Sequence, residues 1–189
     1  MNAFDYLSIL TSIVLAIGIT RLLSGIGALL QNRKQVTFYW VHLLWTLNVF
    51  LFLVLNWWIL FRWQDQEQWN FFLFAFLLLS PTIAFLLSVI LYPEIRTETI
   101  DYKQHFYANH RWFFALAALL PPLDLIDTLL KGVSHFLAQG PLYVLTIALI
   151  FSLCLIAAWT KNEKYHKFFA LFFLFYLSVF ISINLYVLA

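Results

Sequence analysis

Long apolar stretches alternate with short polar segments along the whole chain. Four stretches contain no Asp, Glu, Lys or Arg, at 35–61, 68–93, 132–160 and 168–189. Two more are apolar but carry charges, at about 4–30 and 112–130. A helix needs about 20 apolar residues to cross the roughly 30 Å hydrocarbon core of a membrane. The pattern therefore predicts an all-α polytopic membrane protein, a single domain over 1–189 with six spans at about 4–30, 38–61, 69–92, 112–130, 139–160 and 168–188.

The composition supports this class and removes several others. Hydrophobic residues make up 63% of the 189 residues and charged residues 11%, against about 45–50% and about 25% in a typical soluble domain. The high hydropathy excludes disorder, and a single cysteine excludes a disulfide scaffold. The net charge of +2, without a basic stripe, argues against nucleic-acid binding. The lipid bilayer is the partner that the composition predicts directly.

The basic residues predict the orientation. If six helices are crossed, two basic residues, Arg62 and Lys131, fall on one side, and eight fall on the other: Arg33, Lys34, Arg96, Lys103, Arg111, Lys161, Lys164 and Lys167. Because cytoplasmic loops are enriched in Lys and Arg, we expect a cell membrane protein, in a bacterial inner membrane, with both termini outside the cytoplasm. Most tryptophans lie near predicted span ends, which is typical of an aromatic belt. The first span lacks a basic n-region, so we expect it to be retained rather than cleaved.

Apart from Asp5 at the start of the first span, three charged residues lie inside predicted spans, namely Arg21, Asp124 and Asp127. A charge at membrane depth costs about 2.5–3.5 kcal/mol on insertion scales, so it indicates a functional site by default. Helical rise places Arg21 near the inner third of the first span and Asp124 slightly past the midplane of the fourth. Arg21 is therefore expected to reach towards Asp124. Asp127 is expected to pair with Lys131, one turn further on.

Two consecutive prolines precede Asp124. Pro121 and Pro122 remove two backbone N–H donors in the middle of the fourth span, so we expect that helix to be kinked or broken there. A half-helix beginning at the prolines would direct the positive end of its dipole towards Asp124. Interrupted helices near the midplane are where many transporters form their binding sites.

The histidines do not have the spacing of a zinc site, and no second histidine lies deep enough in a span to pair with His42 on a haem. We therefore expect no metal and no cofactor. His42 remains a candidate pathway residue because its estimated depth is close to that of Arg21. Hydrolase, metalloprotease and phosphate-binding signatures are missing from the sequence, which favours a non-enzymatic function.

These features predict a small homo-oligomeric channel or transporter for protons or small ions, with Arg21, Asp124, Asp127 and His42 along its pathway. Two other interpretations remain open. The first is a non-transporting effector or accessory subunit, in which an Arg21–Asp124 pair has only a structural role and the loop 94–111 receives a protein partner. The second is an intramembrane enzyme acting on a lipid-like substrate.

Overall fold

The expected six spans are confirmed. A computed structural model of the chain describes residues 3–66, 68–93 and 100–184. In this part of the chain six helical segments are long and apolar enough to cross a membrane: Phe4–Gln31, Trp40–Trp63, Phe71–Leu91, Tyr102–Leu130, Pro141–Trp159 and Glu163–Ile183. The protein is therefore all-helical in its membrane part and of the multi-pass class.

Nine α-helices and two short strands form the described part of the chain. They are α1 (Ala3–Gln31), β1 (Val36–Thr37), α2 (Trp40–Leu60), α3 (Phe71–Leu77), α4 (Leu79–Leu91), β2 (Ile100–Asp101), α5 (Tyr102–Ala117), α6 (Leu120–Leu130), α7 (Val133–Ala138), α8 (Pro141–Trp159) and α9 (Glu163–Asn184). A 3-10 turn, Phe61–Trp63, extends α2.

The helices pack as two groups that meet mainly where α4 packs against α5. In one group α1 lies along α4 and α2, and α9 packs against α2; in the other α8 packs against α5 and α6. The centre of the core is Trp45 on α2, whose ring lies 5.0–5.6 Å from four other rings, those of Phe113, Phe114, Phe169 and Phe173. This aromatic cluster joins α2, α5 and α9, so it holds both groups together at one level of the membrane.

The two ends of the bundle differ in charge and in local structure. The basic end carries the segments 32–39, 92–93, 100–101 and 160–162. There β1 pairs in parallel with β2, Val36 opposite Ile100 and Thr37 opposite Asp101. At the opposite end, α7 is bracketed by two glycines with positive φ, 118° at Gly132 and 73° at Gly140. That backbone conformation favours glycine because it has no Cβ.

The fourth span begins earlier than the sequence predicts. It starts at Tyr102 rather than near 112, because the Asp101 carboxylate accepts hydrogen bonds from the backbone N–H groups of Lys103 and Gln104 and caps the helix. Much of the loop expected at 94–111 is thus β2 and the first turns of α5. Residues 94–99 lie outside the described part.

Two spans are interrupted beside prolines. The third divides into α3 and α4 at Leu78, three residues before Pro81, and the fourth divides into α5 and α6 at 118–119, just before Pro121 and Pro122. A proline has no N–H to donate to the carbonyl four residues earlier, so backbone hydrogen bonds of the helix are missing at these points. Ala118 and Leu119 keep right-handed helical angles. The fourth span is therefore interrupted in its hydrogen bonding while its backbone stays helical.

Candidate intramembrane binding cavity

The end of α4 is capped by side chains from three other helices. Arg21 donates from Nη2 to the carbonyl oxygen of Tyr92 at 2.9 Å, and His42 donates from Nε2 to that of Leu91 at 2.7 Å. His105 donates from Nε2 to the carbonyl of Ile90 at 3.0 Å. The last carbonyls of a helix have no partner within the helix, and Pro93 follows immediately. The three side chains therefore satisfy the exposed end of α4.

Tyr92 fills the space between these residues. Its hydroxyl lies 3.1 Å from the Thr46 hydroxyl, and its ring contacts those of His42 and Tyr102, with centroids 4.9 and 6.0 Å away. A Cβ at Gly25 would lie 2.3 Å from the Tyr92 ring, so only glycine fits at that position without moving the ring. Burial raises the pKa of Tyr92 to about 12. The phenol is therefore neutral at physiological pH and acts as a packing element.

This geometry corrects the expected pairing of Arg21 with Asp124. The Arg21 guanidinium bonds to Tyr92 at the basic end. The charged groups that act on Asp124 are Asp127, Lys131 and Arg62, and Arg21 is not among them. The physical reason is that the end of α4 offers Arg21 an unpaired carbonyl close by. The two charges thus belong to separate sites, and His42 accompanies Arg21.

The expected pair of Asp127 with Lys131 is confirmed. Lys131 Nζ lies 2.5 Å from Asp127 Oδ2, and Trp63 Nε1 donates to Asp127 Oδ1 at 3.0 Å. The Lys131 ammonium also lies 5.1 Å from the centre of the Trp63 ring, a favourable cation–π position. Each oxygen of the Asp127 carboxylate thus has a donor, so this residue joins α6 to the end of the second span.

Asp124 has a different environment. Its Oδ2 accepts a hydrogen bond of 2.9 Å from the Tyr143 hydroxyl on α8, and that hydroxyl lies 2.8 Å from Thr128 Oγ1. The residue is exposed. Within the described ranges, Lys or Arg nitrogens do not come within 4 Å of its carboxylate. Among the described residues, the Asp124 carboxylate thus has a hydroxyl donor and no close cation, unlike that of Asp127.

A cavity of about 390 Å³ connects Asp124 to the aromatic centre of the bundle. It lies between α2 and α9 on one side and α5, α6 and α8 on the other, and apolar side chains form most of its wall, among them Val49, Phe52, Leu120, Leu123, Ile150 and Phe173. Asp124, Asp127 and Pro121 line it, whereas Arg21, His42 and Pro122 do not. The volume falls in the range of small-molecule sites, roughly 300–1,000 Å³.

The cavity is accessible at one end and enclosed at the other. Towards the opposite end of the bundle its lining includes the exposed Asp124 and Gln139, whereas towards the basic end it stops at the buried Trp45 and Phe169. Trp45 and Asn56 are about three helical turns apart on α2, so this part of the cavity extends for about 16 Å along the helix axis. The lining continues beyond it on the same span as far as Trp63. Phe113 and Asp124 are equally far apart on the fourth span.

Three polar atoms in the cavity wall are buried without a hydrogen-bond partner among the described residues: Trp45 Nε1, Asn48 Oδ1 and Thr11 Oγ1. Their side chains are at most 3% exposed. Leaving a buried polar group unpaired costs about 1–3 kcal/mol, and such groups call for an explanation by a ligand or an ordered water. Trp45 and Asn48 are three residues apart on α2, so they share one helix face and together offer a donor and an acceptor.

Asn48 and Asn56 form side-chain hydrogen bonds between helices. Asn48 Nδ2 donates to the carbonyl of Ala170 on α9 at 3.1 Å. Ser80 donates to Asn56 Oδ1 at 2.7 Å. Asn48 therefore uses its amide N–H to fix α9 and leaves its carbonyl oxygen to the cavity.

Metal-binding clusters of three or more His, Cys, Asp or Glu residues were not found in the described segments. His110 and His166 are neighbours, with ring centres 5.6 Å apart, but one ring nitrogen of each bonds to a backbone carbonyl, that of Tyr107 or Thr160. These two histidines have structural partners and lie outside the cavity lining.

Several cavity residues could not be found from the sequence. Tyr143 and Thr11 have no sequence signal, because a tyrosine or threonine in an apolar helix is common in packed helix interfaces. Trp45 had one signal, since it lies well inside a span while the other tryptophans lie near span ends. A tryptophan deep inside a span is unusual enough to single out Trp45, but the sequence does not show that Trp45 lines a cavity.

A scan of protein-family models and searches of curated proteins and of solved structures give no match to this chain. A functional argument therefore depends on the geometry of the cavity.

Proposed function

We propose that the protein is a small-molecule transporter of the cell membrane, with the cavity between Asp124 and Trp45 as its binding site. The observation that carries the proposal is an intramembrane cavity that joins two kinds of group: a carboxylate with no Lys or Arg nitrogen within 4 Å, and buried polar atoms with no hydrogen-bond partner, both among the described residues. A protein that used its charges only for stability would gain nothing from leaving these groups unpaired, because each costs free energy.

The interrupted helices support transport over simple binding. Leu77 and Pro81 of the third span and Leu120 and Pro121 of the fourth all line the cavity. Gaps in a helical ladder inside a membrane are tolerated where they face protein or a cavity, and they are points at which a helix bends. We propose that bending at these two places separates the aromatic cluster around Trp45 and opens the cavity to the basic end.

In this proposal Asp124 keeps the role expected from the sequence, and Arg21 and His42 become structural. The basic end faces the cytoplasm of a bacterial inner membrane, because Arg33, Lys34, Lys103, Lys161 and Lys164 all lie there. The cavity would then be entered from outside. It lies within one chain, so the proposed binding step does not require the homo-oligomer that the sequence predicts, and that assembly stays a prediction.

Cysteine accessibility tests the proposal. The native Cys154 is replaced by Ala, and single cysteines are introduced at Asn48, which lines the cavity, and at Leu47, which is exposed on the outer surface of the same helix. A charged, membrane-impermeant thiol reagent is applied to right-side-out and to inside-out vesicles. We expect Asn48→Cys to react from both sides and Leu47→Cys, facing lipid, to react from neither.

Reaction of Asn48→Cys from one side only would leave a binding protein and overturn transport. Absence of reaction from both sides would mean a sealed cavity and would overturn the whole proposal. Ile150→Cys on α8, also in the cavity wall, provides a second reporter if the Asn48 variant does not fold.

A further inference from the structure

We infer that the ligand of this cavity is an amphipathic cation whose positive group binds at Asp124 and whose apolar body extends towards Trp45. The inference rests on the proposed function and specifies its ligand class. It follows from three properties of the wall, which are the charge at its accessible end, its apolar middle and the polar atoms at its enclosed end.

The charge at the accessible end selects a cation. Asp127 is neutralised by Lys131 and bonded to Trp63, whereas Asp124 has one hydroxyl donor and lies beyond 4 Å from any Lys or Arg nitrogen in the described segments. An anionic ligand would bring a second negative charge beside these carboxylates. A cationic ligand would place a positive charge next to the Asp124 carboxylate, at a membrane depth where an unpaired charge is costly.

Aromatic rings near Asp124 favour the same class. Tyr143 bonds to the carboxylate through its hydroxyl, and both Tyr143 and Tyr176 line the cavity. Cations bind over aromatic faces, and the gain is larger where water is excluded. An ammonium group at Asp124 would lie beside a carboxylate and the phenol ring of Tyr143.

The middle of the cavity requires an apolar body. Between Asp124 and Trp45 the wall is formed by aliphatic and aromatic side chains of four helices, including Phe52, Leu123, Ile147, Ile150 and Phe173. A cavity of about 390 Å³ distributed over at least about 16 Å is narrow. It fits an extended chain better than a compact ring system.

The enclosed end adds a preference for a terminal hydroxyl. Trp45 Nε1 is an unpaired donor and Asn48 Oδ1 an unpaired acceptor on the same helix face. One hydroxyl can accept from the indole and donate to the amide oxygen. We therefore expect a chain that ends in a hydroxyl to bind more tightly than the same chain ending in a methyl group.

The test measures binding of three probes with the same chain and different head groups, dodecyltrimethylammonium, dodecanol and dodecanoate, to the full chain by native mass spectrometry from neutral detergent. We expect saturable binding of the cation with one molecule per chain, at least about tenfold tighter than dodecanol, because only the cation can form an ion pair with Asp124 and a cation–π contact with a phenol ring. We expect no saturable binding of dodecanoate. Asp124→Asn is expected to reduce the affinity for the cation to that for dodecanol.

Matched variants separate the two proposals. Asp65→Asn makes the same charge change on an exposed residue at the same end of the bundle, outside the cavity lining, and should change nothing. Ala117→Phe places a large ring in the cavity and should weaken all probes. If Asp124→Asn does not fold, Asp124→Glu replaces it; this variant keeps the charge and should keep the preference for the cation over dodecanol. Thr146→Trp also places a large ring in the cavity and provides a second variant of this kind.

Equal affinities of wild type and Asp124→Asn for the cation, or binding of dodecanoate as tight as that of the cation, would overturn the cationic ligand. The binding cavity would still stand if Ala117→Phe weakened every probe. If wild type bound no probe, or if both filling variants bound all probes normally, the cavity would not be the site and the proposed function would fail too.

The preference at the enclosed end has its own measurement. ω-Hydroxydodecyltrimethylammonium should bind several-fold more tightly than dodecyltrimethylammonium to wild type, and Trp45→Phe should remove the difference by removing the indole donor. Equal affinities of wild type for the two probes would overturn this orientation of the ligand.

Discussion

Arg21 donates a hydrogen bond of 2.9 Å from its guanidinium to the main-chain carbonyl of Tyr92, 71 residues later in the chain. This contact uses an intramembrane charge to satisfy the backbone at the end of a helix. The two intramembrane charges thus have different environments. Arg21 bonds to the backbone at the basic end, whereas Asp124 lines the cavity. This difference leads to predictions that separate structural residues from binding residues.

Arg21→Gln should destabilise the protein without altering its binding site. Loss of a charged donor from a buried backbone carbonyl is expected to lower the free energy of unfolding by about 1–3 kcal/mol. Arg33→Gln, which removes the same charge from the exposed basic end, should have little effect. Thermal and chemical unfolding in detergent would measure both. If Arg21→Gln instead abolished probe binding in a fully folded protein, Arg21 would belong to the pathway after all.

Gly25→Ala and Gly27→Ala should have opposite effects although they lie on the same helix. A Cβ at Gly25 would lie 2.3 Å from the Tyr92 ring, whereas a Cβ at Gly27 would have nothing within 4 Å. Alanine is favoured over glycine in a helix by about 0.5–1 kcal/mol, so Gly27→Ala should keep or raise the melting temperature. Gly25→Ala should lower it, because Tyr92 is held by Thr46 and His42. Equal melting temperatures of the two variants would contradict the tight contact.

Alkaline pH should weaken the basic end through Tyr92. Burial raises the pKa of its phenol from 10.0 to about 12, so the unfolded chain loses this proton more readily than the folded protein. The stabilising contribution is therefore complete below pH 10 and is lost as the pH rises through about 12. Melting temperatures measured between these values should fall more steeply for wild type than for Tyr92→Phe, which has no phenol to ionise. If the melting temperatures of wild type and Tyr92→Phe fell equally with pH, ionisation of Tyr92 would not be the cause of the loss of stability.

Asp127 and Lys131 should behave as a coupled pair. Removing either charge leaves the other partly buried without its partner, so Asp127→Asn and Lys131→Gln should each be destabilising. The double variant should be more stable than the sum of the single effects predicts, by about 0.5–3 kcal/mol for residues in contact. A double-mutant cycle of unfolding free energies measures this coupling. Additive effects would show that the contact contributes nothing.

The sequence could predict those features that depend on periodicity and short spacing. The six spans follow from apolar length, and the Asp127–Lys131 pair from a spacing of one helical turn. The division between α5 and α6 beside Pro121 follows from the missing N–H groups, whereas a kink of the helix there stays a prediction. Each of these is a local property, so a single sequence contains it.

The partner of Arg21 could not be predicted, because a backbone carbonyl at a helix end carries no residue signature. The early start of α5 could not be predicted either. The residues after Asp101 are polar, and the capping role of Asp101 is visible only once the backbone N–H groups of Lys103 and Gln104 are seen to bond to it. The cavity depends on how side chains of α2, α5, α6, α8 and α9 fail to fill the space between them. That is a property of packing, which neither composition nor spacing encodes.

The donors at the end of α4 also set an order for biogenesis. Arg21 and His42 are synthesised before this helix, but His105, which bonds the Ile90 carbonyl, and β2, which pairs with β1, come after it. A nascent chain holding only its first three spans therefore lacks a donor and a strand partner at its basic end. The start of the fourth span must therefore be synthesised before the first three spans can form all the hydrogen bonds of their basic end. The first half of the bundle reaches its final structure only after synthesis of the second half has begun.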